Sequence, residues 1–472
     1  MLDQAAASTR APRRWLAVLV LLCAALGVRL GALALGRDAV AWNDQVTYLQ
    51  RAEDLLDGKG YTGSYQSWAR HKGEHQLETL PRYLGAYQAP GYPLFLAGAM
   101  KLCGRDVFWA KLAQVLLGAA TTWFVYAIGR DALSHGAGLA AGWLYALDPT
   151  FVAFTHLVFN ETVFVFLFVA GLWLWMRPGA RGLGSAALAG VVFAAAAYVK
   201  SSLLYLLPLL VVWRLWRERA SWRAAAKHAL VAALAWSACI APWTVRNYQV
   251  HGGFVLMDSS GPFNLWRGNQ PNAYQRRRRD ADANTRFAPP FAAYVHSPVA
   301  EVGGGALTDV ARRTFATDTP SDLECMQAAT HHALEYSLED LRWTAERTVY
   351  KVVDTWNPTS FVMRHLERDG YGPAPAWVRA TLSWACVLSY LLVVALAIPE
   401  LWRQRRTALG GMVLLLVYYY TAVHALTFGM TRFRLPVMPF LMLLAGATLA
   451  RVCARVWSSG WASARVGGSV RA

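Results

Sequence analysis

Long apolar runs recur along this chain of 472 residues, and polar segments of variable length separate them. Most runs hold about 17 to 23 residues, which is the length that a helix needs to cross the hydrocarbon core of a bilayer. The pattern predicts ten membrane-spanning helices, at residues 15–35, 107–128, 136–154, 158–176, 183–199, 201–213, 227–245, 377–399, 408–428 and 435–452. We therefore expect an all-α polytopic membrane protein.

Basic residues near the ends of these runs indicate their orientation. Arg10, Arg13 and Arg14 precede the first run, which lacks a small-residue cleavage site, so we expect a retained helix with its N-terminus in the cytoplasm. The other short basic connections then fall on the cytoplasmic side, provided that residues 89–102 do not cross the membrane. That segment offers only about thirteen residues after its turn-forming start, which is too few to span, so we interpret it as an interfacial or re-entrant helix.

Two long polar segments remain on the outer side and divide the chain. Residues 1–245 form a predicted N-terminal membrane module with an outer loop at 36–106, residues 246–376 form a small insert of α or α+β type, and residues 377–472 supply the last helices and a cytoplasmic tail. In the insert, Ser321 to Glu324 has the spacing of a helix capping box. Apolar residues at helical spacing then predict one long amphipathic helix whose stripe packs in the core of the insert rather than against a ligand: Leu334, Leu338, Leu341, Val349 and Val352.

The composition fits this reading and excludes some alternatives. Hydrophobic residues make up 56% of the chain and the mean hydropathy is +0.26, while the formal net charge is +17. The arginines cluster between apolar runs, as membrane orientation requires, so we expect no nucleic-acid partner. Six cysteines form neither a disulfide framework nor a zinc-ligand spacing. The run Arg276–Arg279 is either a solvated loop or an attractor of anionic headgroups.

Asp44 stands where the first predicted span emerges on the outer side. An ionisable group at this position is a candidate for function, although an aspartate can simply cap the helix predicted over residues 46–56. Other ionisable or polar residues also fall at the outer ends of spans: Asn160, Glu161, Lys200, Arg246, Asn247, Arg432 and Arg434. Basic residues in outer connections oppose the usual orientation bias. Each of them either extends toward lipid headgroups or contributes to a site for an anion such as a lipid phosphate.

These residue types suit the transfer of a sugar from a lipid phosphate. The reaction needs a base to accept the proton of an acceptor hydroxyl, for which Asp44 is the candidate. It also needs cations that stabilise the departing phosphate, for which lysine and arginine are suited.

The chain resembles bacterial membrane glycosyltransferases of the glycosyltransferase C superfamily, related to protein O-mannosyltransferases and lipid A aminoarabinose transferase. The resemblance extends in order along nearly the whole chain and rests on several motifs: Asp44 with Tyr48, Ala89-Pro90-Gly91-Tyr92-Pro93-Leu94, Tyr126-Ala127-Ile128-Gly129-Arg130, Ala241-Pro242-Trp243-Thr244-Val245-Arg246-Asn247, Gly261-Pro262-Phe263-Asn264-Leu265-Trp266-Arg267-Gly268-Asn269 and Arg432-Phe433-Arg434-Leu435-Pro436.

The resemblance implies an inverting transferase of the bacterial inner membrane that works on the periplasmic side with an undecaprenyl-phosphate sugar. Asp44 matches the acidic residue that acts on the acceptor, and Glu161 matches an acidic position of the second outer loop. Lys200 and Arg246 match basic positions near the lipid phosphate. We add Tyr48, Asn247, Arg432 and Arg434 as candidate binding residues, and Tyr92 and Trp266 as aromatic rings for a sugar.

The chain also departs from its relatives. Many of them carry a second acid directly after the first, whereas Gln45 follows Asp44 here, so we do not expect a two-carboxylate arrangement in this loop. The distant oligosaccharyltransferases use paired acids and a divalent ion, but the nearer relatives need none, so the resemblance implies no metal, and we predict no cofactor. An O-antigen polymerase or ligase is an alternative that relies less on Asp44, and a lipid-linked sugar flippase is another, although no internal repeat supports it. The sugar and its acceptor, whether lipid A, an envelope glycan or a protein, stay open.

Overall fold

The computed structural model describes residues 2–37, 39, 44–61, 88–176, 182–270, 273–274, 314, 322–367, 370–371 and 373–467. Within these ranges the α-helices are α1 Leu2–Leu35, α2 Asp44–Leu56, α3 Gly91–Cys103, α4 Val107–Ala132, α5 His135–Leu147, α6 Pro149–Phe154, α7 Glu161–Met176, α8 Leu183–Val199, α9 Leu206–Arg217, α10 Trp222–His251, α11 Ser260–Asn269, α12 Asp322–Glu339, α13 Leu341–Trp356, α14 Met363–Glu367, α15 Ala376–Gln404, α16 Ala408–Leu426 and α17 Met438–Gly467. Short 3₁₀ turns lie at Ser201–Leu203, Arg219–Ser221 and Thr431–Arg434. The described part of the chain contains no β-strand, so the all-α class is confirmed.

Six of the described helices are long and apolar enough to cross a membrane. They lie at Arg14–Leu35, Val107–Ala132, Arg219–His251, Ala376–Gln404, Ala408–Leu426 and Met438–Val456. Two more apolar helices, α7 and α8, are shorter. The multi-pass architecture is therefore established, while the total of ten spans stays a prediction.

The predicted span at 136–154 is divided in two. Asp148 interrupts it, and the Asp148 carboxylate accepts hydrogen bonds from the backbone nitrogens of Thr150 at 3.0 Å and Phe151 at 3.1 Å. Pro149 follows at the first position of α6, where its missing N–H group costs nothing. Two helices, α5 and α6, therefore occupy the region where the sequence predicted one continuous span.

Aromatic side chains of α7 form the centre of the membrane module. The rings of Phe164 and Phe168 stack at 5.7 Å, and Phe168 also meets Tyr420 of α16 and Phe440 of α17 edge to face. These three helices are distant in sequence, and their contact brings the start of α7 close to the turn that precedes α17. Both of those segments carry candidate site residues.

The insert differs from its predicted form. The expected single helix breaks at Asp340, whose carboxylate accepts a hydrogen bond from the backbone nitrogen of Trp343 at 2.8 Å and so starts α13. The prediction that this stripe packs in the core of the insert was wrong for four of its five residues, whose exposed fractions are 54% for Leu334, 71% for Leu338, 68% for Leu341 and 59% for Val349. Val352 is half-buried. Instead, Phe263 and Trp266 of α11 pack on Ala329 and Ala333 of α12. Ser321 of the capping box and Arg276–Arg279 lie outside the described residues.

Candidate active site

Asp44 is the first residue of α2, and its carboxylate pairs with Arg432. The Arg432 Nη2 atom donates to Asp44 Oδ2 at 2.8 Å, and this contact joins positions 388 residues apart. The Asp44 side chain keeps 40% of its surface exposed. Asp44 therefore does more than begin a helix, because its carboxylate is fixed by a cation and still accessible from outside.

Glu161 starts α7 and connects Arg432 to Lys200. Its Oε1 atom lies 3.5 Å from Lys200 Nζ and 3.8 Å from Arg432 Nε. The Glu161 side chain is only 3% exposed, and its Oε2 atom accepts no hydrogen bond from the described residues. Carboxylates and cations thus alternate from Asp44 through Arg432 and Glu161 to Lys200, and we call these four residues the charged cluster.

Three aromatic rings hold Arg432 in place. Its guanidinium carbon lies 5.5 Å from the ring centre of Phe159, 4.9 Å from that of Phe361 and 5.5 Å from that of Phe433. These rings exclude water from one side of the guanidinium, which strengthens its interactions with anions on the other side. The apolar walls therefore make the charged cluster a favourable place for a further negative charge.

Two arginines act on Asp44 from a greater distance. Burial by itself raises the pKa of Asp44, but the charge and hydrogen bond of Arg432 together with the charges of Arg267 and Arg364 lower that pKa below its ordinary value. Arg267 belongs to a quoted motif but had been given no role, and Arg364 carried no signal in the sequence. Asp44 is consequently ionised near neutral pH and lies within a surplus of positive charge.

Tyr48 and Tyr92 form a buried pair of aromatic rings near the charged cluster. Asn160 Nδ2 donates to the Tyr48 hydroxyl at 3.1 Å, and the rings of Tyr48 and Tyr92 meet edge to face at 4.8 Å. Tyr92 is fully buried, and its hydroxyl donates to Gln114 Oε1 at 2.8 Å. Tyr92 therefore packs against Tyr48, and Trp266 is 2% exposed. Contact of either ring with a sugar stays a prediction.

Gly91 fixes the position of α3 against the end of α8. A Cβ atom at this position would lie 2.6 Å from the carbonyl carbon of Tyr198 and 2.8 Å from the nitrogen of Val199. Both contacts are with backbone, which cannot move aside as a side chain can. Because Lys200 follows directly, the glycine lets α3 approach the segment that carries this lysine.

Arg246 and Asn247 belong to a second group of residues at the end of α10. Arg246 Nη2 donates to the Tyr61 carbonyl oxygen at 3.3 Å, and its guanidinium carbon lies 4.8 Å from the Trp243 ring centre. Asn247 is fully buried and donates to the carbonyl oxygens of Val255 and Met257, at 3.0 Å each. Asn247 therefore shapes the chain after α10, and its role as a binding residue stays a prediction.

Arg434 contacts backbone carbonyl groups and an aromatic ring. Its guanidinium donates to the backbone carbonyl oxygens of Asn357 and, at 3.0 Å, Thr359, and it lies 3.9 Å from the ring centre of Tyr390. Arg434 is 5% exposed. The contacts of Arg434 are thus with backbone carbonyl groups and an aromatic ring, and its role as a binding residue stays a prediction.

Gln45 uses both ends of its amide. Its Oε1 atom accepts from the backbone nitrogen of Val158 at 3.1 Å, and its Nε2 atom lies 3.0 Å from His365 Nε2. The residue after Asp44 thus links α2 to the loop before Glu161 and to α14. Gln45 makes these hydrogen bonds as a neutral group. A carboxylate at this position would place a second negative charge next to Asp44.

Part of the chain matches a known protein family, and the fold resembles that of solved structures. Residues 87–245 match the family model of dolichyl-phosphate-mannose-protein mannosyltransferase, whereas no curated protein matches the chain. Among solved structures, the archaeal oligosaccharyltransferase AglB from Archaeoglobus fulgidus, in complex with an inhibitory peptide and a dolichol-phosphate, is similar with 13% identity and a TM-score of 0.51. That match covers 96% of this chain and 52% of AglB.

Two further solved structures are similar. The A. fulgidus oligosaccharyltransferase in complex with Zn and sulfate has 12% identity and a TM-score of 0.51, with 96% of this chain and 51% of that one covered. ArnT from Cupriavidus metallidurans bound to undecaprenyl phosphate has 14% identity and a TM-score of 0.40, with 92% and 78% covered. The chain spans about half the length of the oligosaccharyltransferases that it matches. The predicted resemblance is confirmed at the level of the fold and of the matched segment.

Proposed function

We propose that this protein, which has the glycosyltransferase C fold and carries a segment matching the mannosyltransferase family model, transfers a sugar from a polyprenyl-phosphate donor to a hydroxyl acceptor. The donor we favour is an undecaprenyl-phosphate sugar, and the site faces the periplasm of a bacterial inner membrane. The observation that carries the proposal is the charged cluster, in which residues from α2, α7, the end of α8 and the turn before α17 converge.

The distribution of charge supports a phosphate ligand. Lys200 and Arg432 lie within the cluster, Arg267 and Arg364 act on Asp44, and two carboxylates oppose these four cations. Three arginines and one lysine therefore act on this part of the site. Arginine and lysine bind phosphate oxygens through charge-assisted hydrogen bonds, so these side chains suit an anionic lipid phosphate. The same fold in AglB was solved with a dolichol-phosphate, which is a ligand of this class.

Asp44 is the proposed base because it is the most exposed member of the cluster and is ionised. It accepts the proton of the acceptor hydroxyl while the hydroxyl oxygen forms a bond to the anomeric carbon of the sugar. The bond from that carbon to the phosphate oxygen breaks, and its electron pair leaves with the phosphate. The products are the glycosylated acceptor, polyprenyl phosphate and protonated Asp44, and Lys200 and Arg432 stabilise the charge that develops on the phosphate.

Glu161 keeps the two cations in place during this step. Its Oε1 atom lies between Lys200 and Arg432, while the buried Oε2 atom is positioned to accept a hydrogen bond from a sugar or acceptor hydroxyl. A divalent metal does not fit the donor set well, because the Arg432 guanidinium lies between the two carboxylates and Gln45 replaces the neighbouring acid. We therefore assign no step to a metal ion.

The test is to delete the gene and to compare the lipid-linked sugars and envelope glycans of the mutant with those of the parent. We expect one polyprenyl-phosphate sugar to accumulate and one modification to disappear. Wild-type protein should restore the modification, whereas Asp44→Asn should lower transfer by about 10²- to 10⁴-fold. The matched control is Asp57→Asn, which removes an aspartate of the same outer segment that pairs with Arg105 and should leave transfer unchanged.

A second measurement separates binding from chemistry. Labelled polyprenyl phosphate should bind to Asp44→Asn at least as tightly as to wild type, because a negative charge has been removed, and should bind more weakly to Lys200→Ala. Normal turnover in Asp44→Asn would refute the base assignment. Unchanged affinity in Lys200→Ala would refute the phosphate assignment.

A further inference from the structure

One turn of α12 presents two histidines and a glutamate together, away from the charged cluster. Glu335 Oε2 lies 2.8 Å from His332 Nδ1 and 3.9 Å from His331 Nδ1. One ligand atom of each residue lies within 4.8 Å of the other two. His331 and Glu335 are well exposed, and His332 is half-buried, so an ion in solution can reach all three.

The helix itself creates this grouping. Positions three and four residues apart share a face, so Glu335 lies over His331 and His332 at once. Imidazole nitrogens and a carboxylate oxygen are a ligand set that zinc accepts, with a fourth position for water. Zinc bonds of about 2.0 to 2.2 Å in a tetrahedron separate the ligand atoms by about 3.3 to 3.6 Å. The two measured separations from Glu335 lie on either side of this range, so small side-chain rotations bring the atoms to the required positions.

The surroundings of His332 add a second, independent observation. Its Nε2 atom lies 3.0 Å from the hydroxyl oxygen of Thr314, and the Tyr336 ring stacks on the imidazole with centres 5.7 Å apart and planes 28° apart. A histidine that binds a metal through one nitrogen usually donates a hydrogen bond from the other, which fixes its tautomer and ring orientation. In the metal-bound form Thr314 is placed to accept that hydrogen bond from Nε2–H, which leaves the lone pair of Nδ1 for the metal.

We propose that His331, His332 and Glu335 bind a divalent zinc ion on the outer insert. The site stands apart from the proposed transferase chemistry, since none of its ligands belongs to the charged cluster. The competing explanation for the same geometry is a simple ion pair between protonated His332 and Glu335, which requires no metal. The two explanations differ in what happens when zinc is added.

The experiment uses the full-length protein, purified in detergent without a polyhistidine tag and stripped of metal with a chelator. Zinc is titrated by calorimetry and by competition with a chromophoric chelator. We expect one zinc ion per chain in the micromolar range. Glu335→Gln and His332→Gln should each weaken binding by at least about tenfold. Glu339→Gln removes a carboxylate from an exposed position one turn further along the same helix, and it should bind zinc as wild type does.

Thr314→Val is the more discriminating variant, because it leaves all three ligands in place and removes only the hydrogen-bond partner of His332. We expect a smaller but measurable loss of zinc affinity. Cobalt provides an independent check, since a tetrahedral cobalt site with nitrogen and oxygen ligands gives visible absorption bands that Glu335→Gln should abolish. Absence of saturable zinc binding in the wild type, or wild-type affinity in Glu335→Gln, would establish the simple ion pair and overturn the proposal.

Discussion

Replacing Arg432 by glutamine should move the acidic limit of activity to higher pH. The proposed base works only when Asp44 is ionised, so the rate falls as the pH drops through the pKa of that carboxyl. In the wild-type protein, burial acts to raise this pKa, and Arg432 with Arg267 and Arg364 more than offsets the effect. The acidic limb of the wild-type profile is therefore expected below the ordinary aspartate value of 3.8.

The size of the shift follows from the contact that is lost. A neighbouring arginine commonly lowers the pKa of an aspartate by about one to three units. The Asp44 side chain is 40% exposed, so solvent weakens the interaction. Burial, which the arginine no longer opposes, adds to the upward shift. We therefore expect the acidic limb of Arg432→Gln at a higher pH than that of wild type, with the rate falling about tenfold for each further unit below it.

The assay is the pH dependence of kcat/KM for sugar transfer, because this quantity reports the ionisation of the unliganded protein. Arg432→Lys keeps the charge but loses the planar fork, so its limb should move less. Arg105→Gln is the matched control, since it removes another outer arginine that pairs with an aspartate, and its profile should match that of wild type. An acidic limb in Arg432→Gln that coincides with the wild-type limb, in a variant that still folds, would show that Arg432 does not set the ionisation of the base.

Two other variants test how the site is supported. Gly91→Ala forces a Cβ atom against the backbone of Tyr198 and Val199, so we expect a loss of about 1 to 3 kcal/mol in stability and weaker polyprenyl-phosphate binding through a displaced Lys200. Thermal unfolding followed by tryptophan fluorescence should show this, and Gly98→Ala on the same helix, where no atom lies within 4 Å, should not. Glu161→Gln leaves Lys200 and Arg432 without their shared counter-charge, and breaking such a buried pair costs up to about 3 to 5 kcal/mol. Added polyprenyl phosphate should recover more of the unfolding temperature in Glu161→Gln than in wild type, and an equal gain in both would contradict the role of Glu161.

The sequence was sufficient to select the members of the charged cluster one by one, but not to place them together. Asp44, Glu161, Lys200 and Arg432 were each noticed because an ionisable residue at the end of an apolar run requires a reason. The pairing of Asp44 with Arg432 depends on how α2 and α17 pack, and the apolar pattern of each helix carries no information about its partner. Arg364 escaped notice because it lies in a polar segment where a charged residue is ordinary.

Arg432 and Arg434 also show that the sequence does not reveal which groups a side chain contacts, even for two residues that are close together in the chain. The two residues have the same chemistry and equivalent positions in the sequence pattern. They lie on a 3₁₀ turn, where three residues complete one turn, so side chains two positions apart point in different directions. One therefore meets Asp44 and the other meets backbone carbonyl groups. The prediction that the apolar stripe of the insert is buried was wrong for a related reason. Periodicity shows that a helix has an apolar face but not what covers that face.

Gln45 explains why the charges are arranged in this way. Its amide already serves Val158 and His365, so the second carboxylate of the site comes from α7 as Glu161, and a guanidinium separates it from Asp44. In the proposed site, Lys200 and Arg432 are the cations that a lipid phosphate contacts. In the proposed reaction the donor is a phosphodiester with one negative charge, whereas the released polyprenyl phosphate is a monoester with about −1.5 to −2 charges at neutral pH. The cations consequently interact more strongly with the departing group than with the donor, and this difference is what lowers the barrier to transfer.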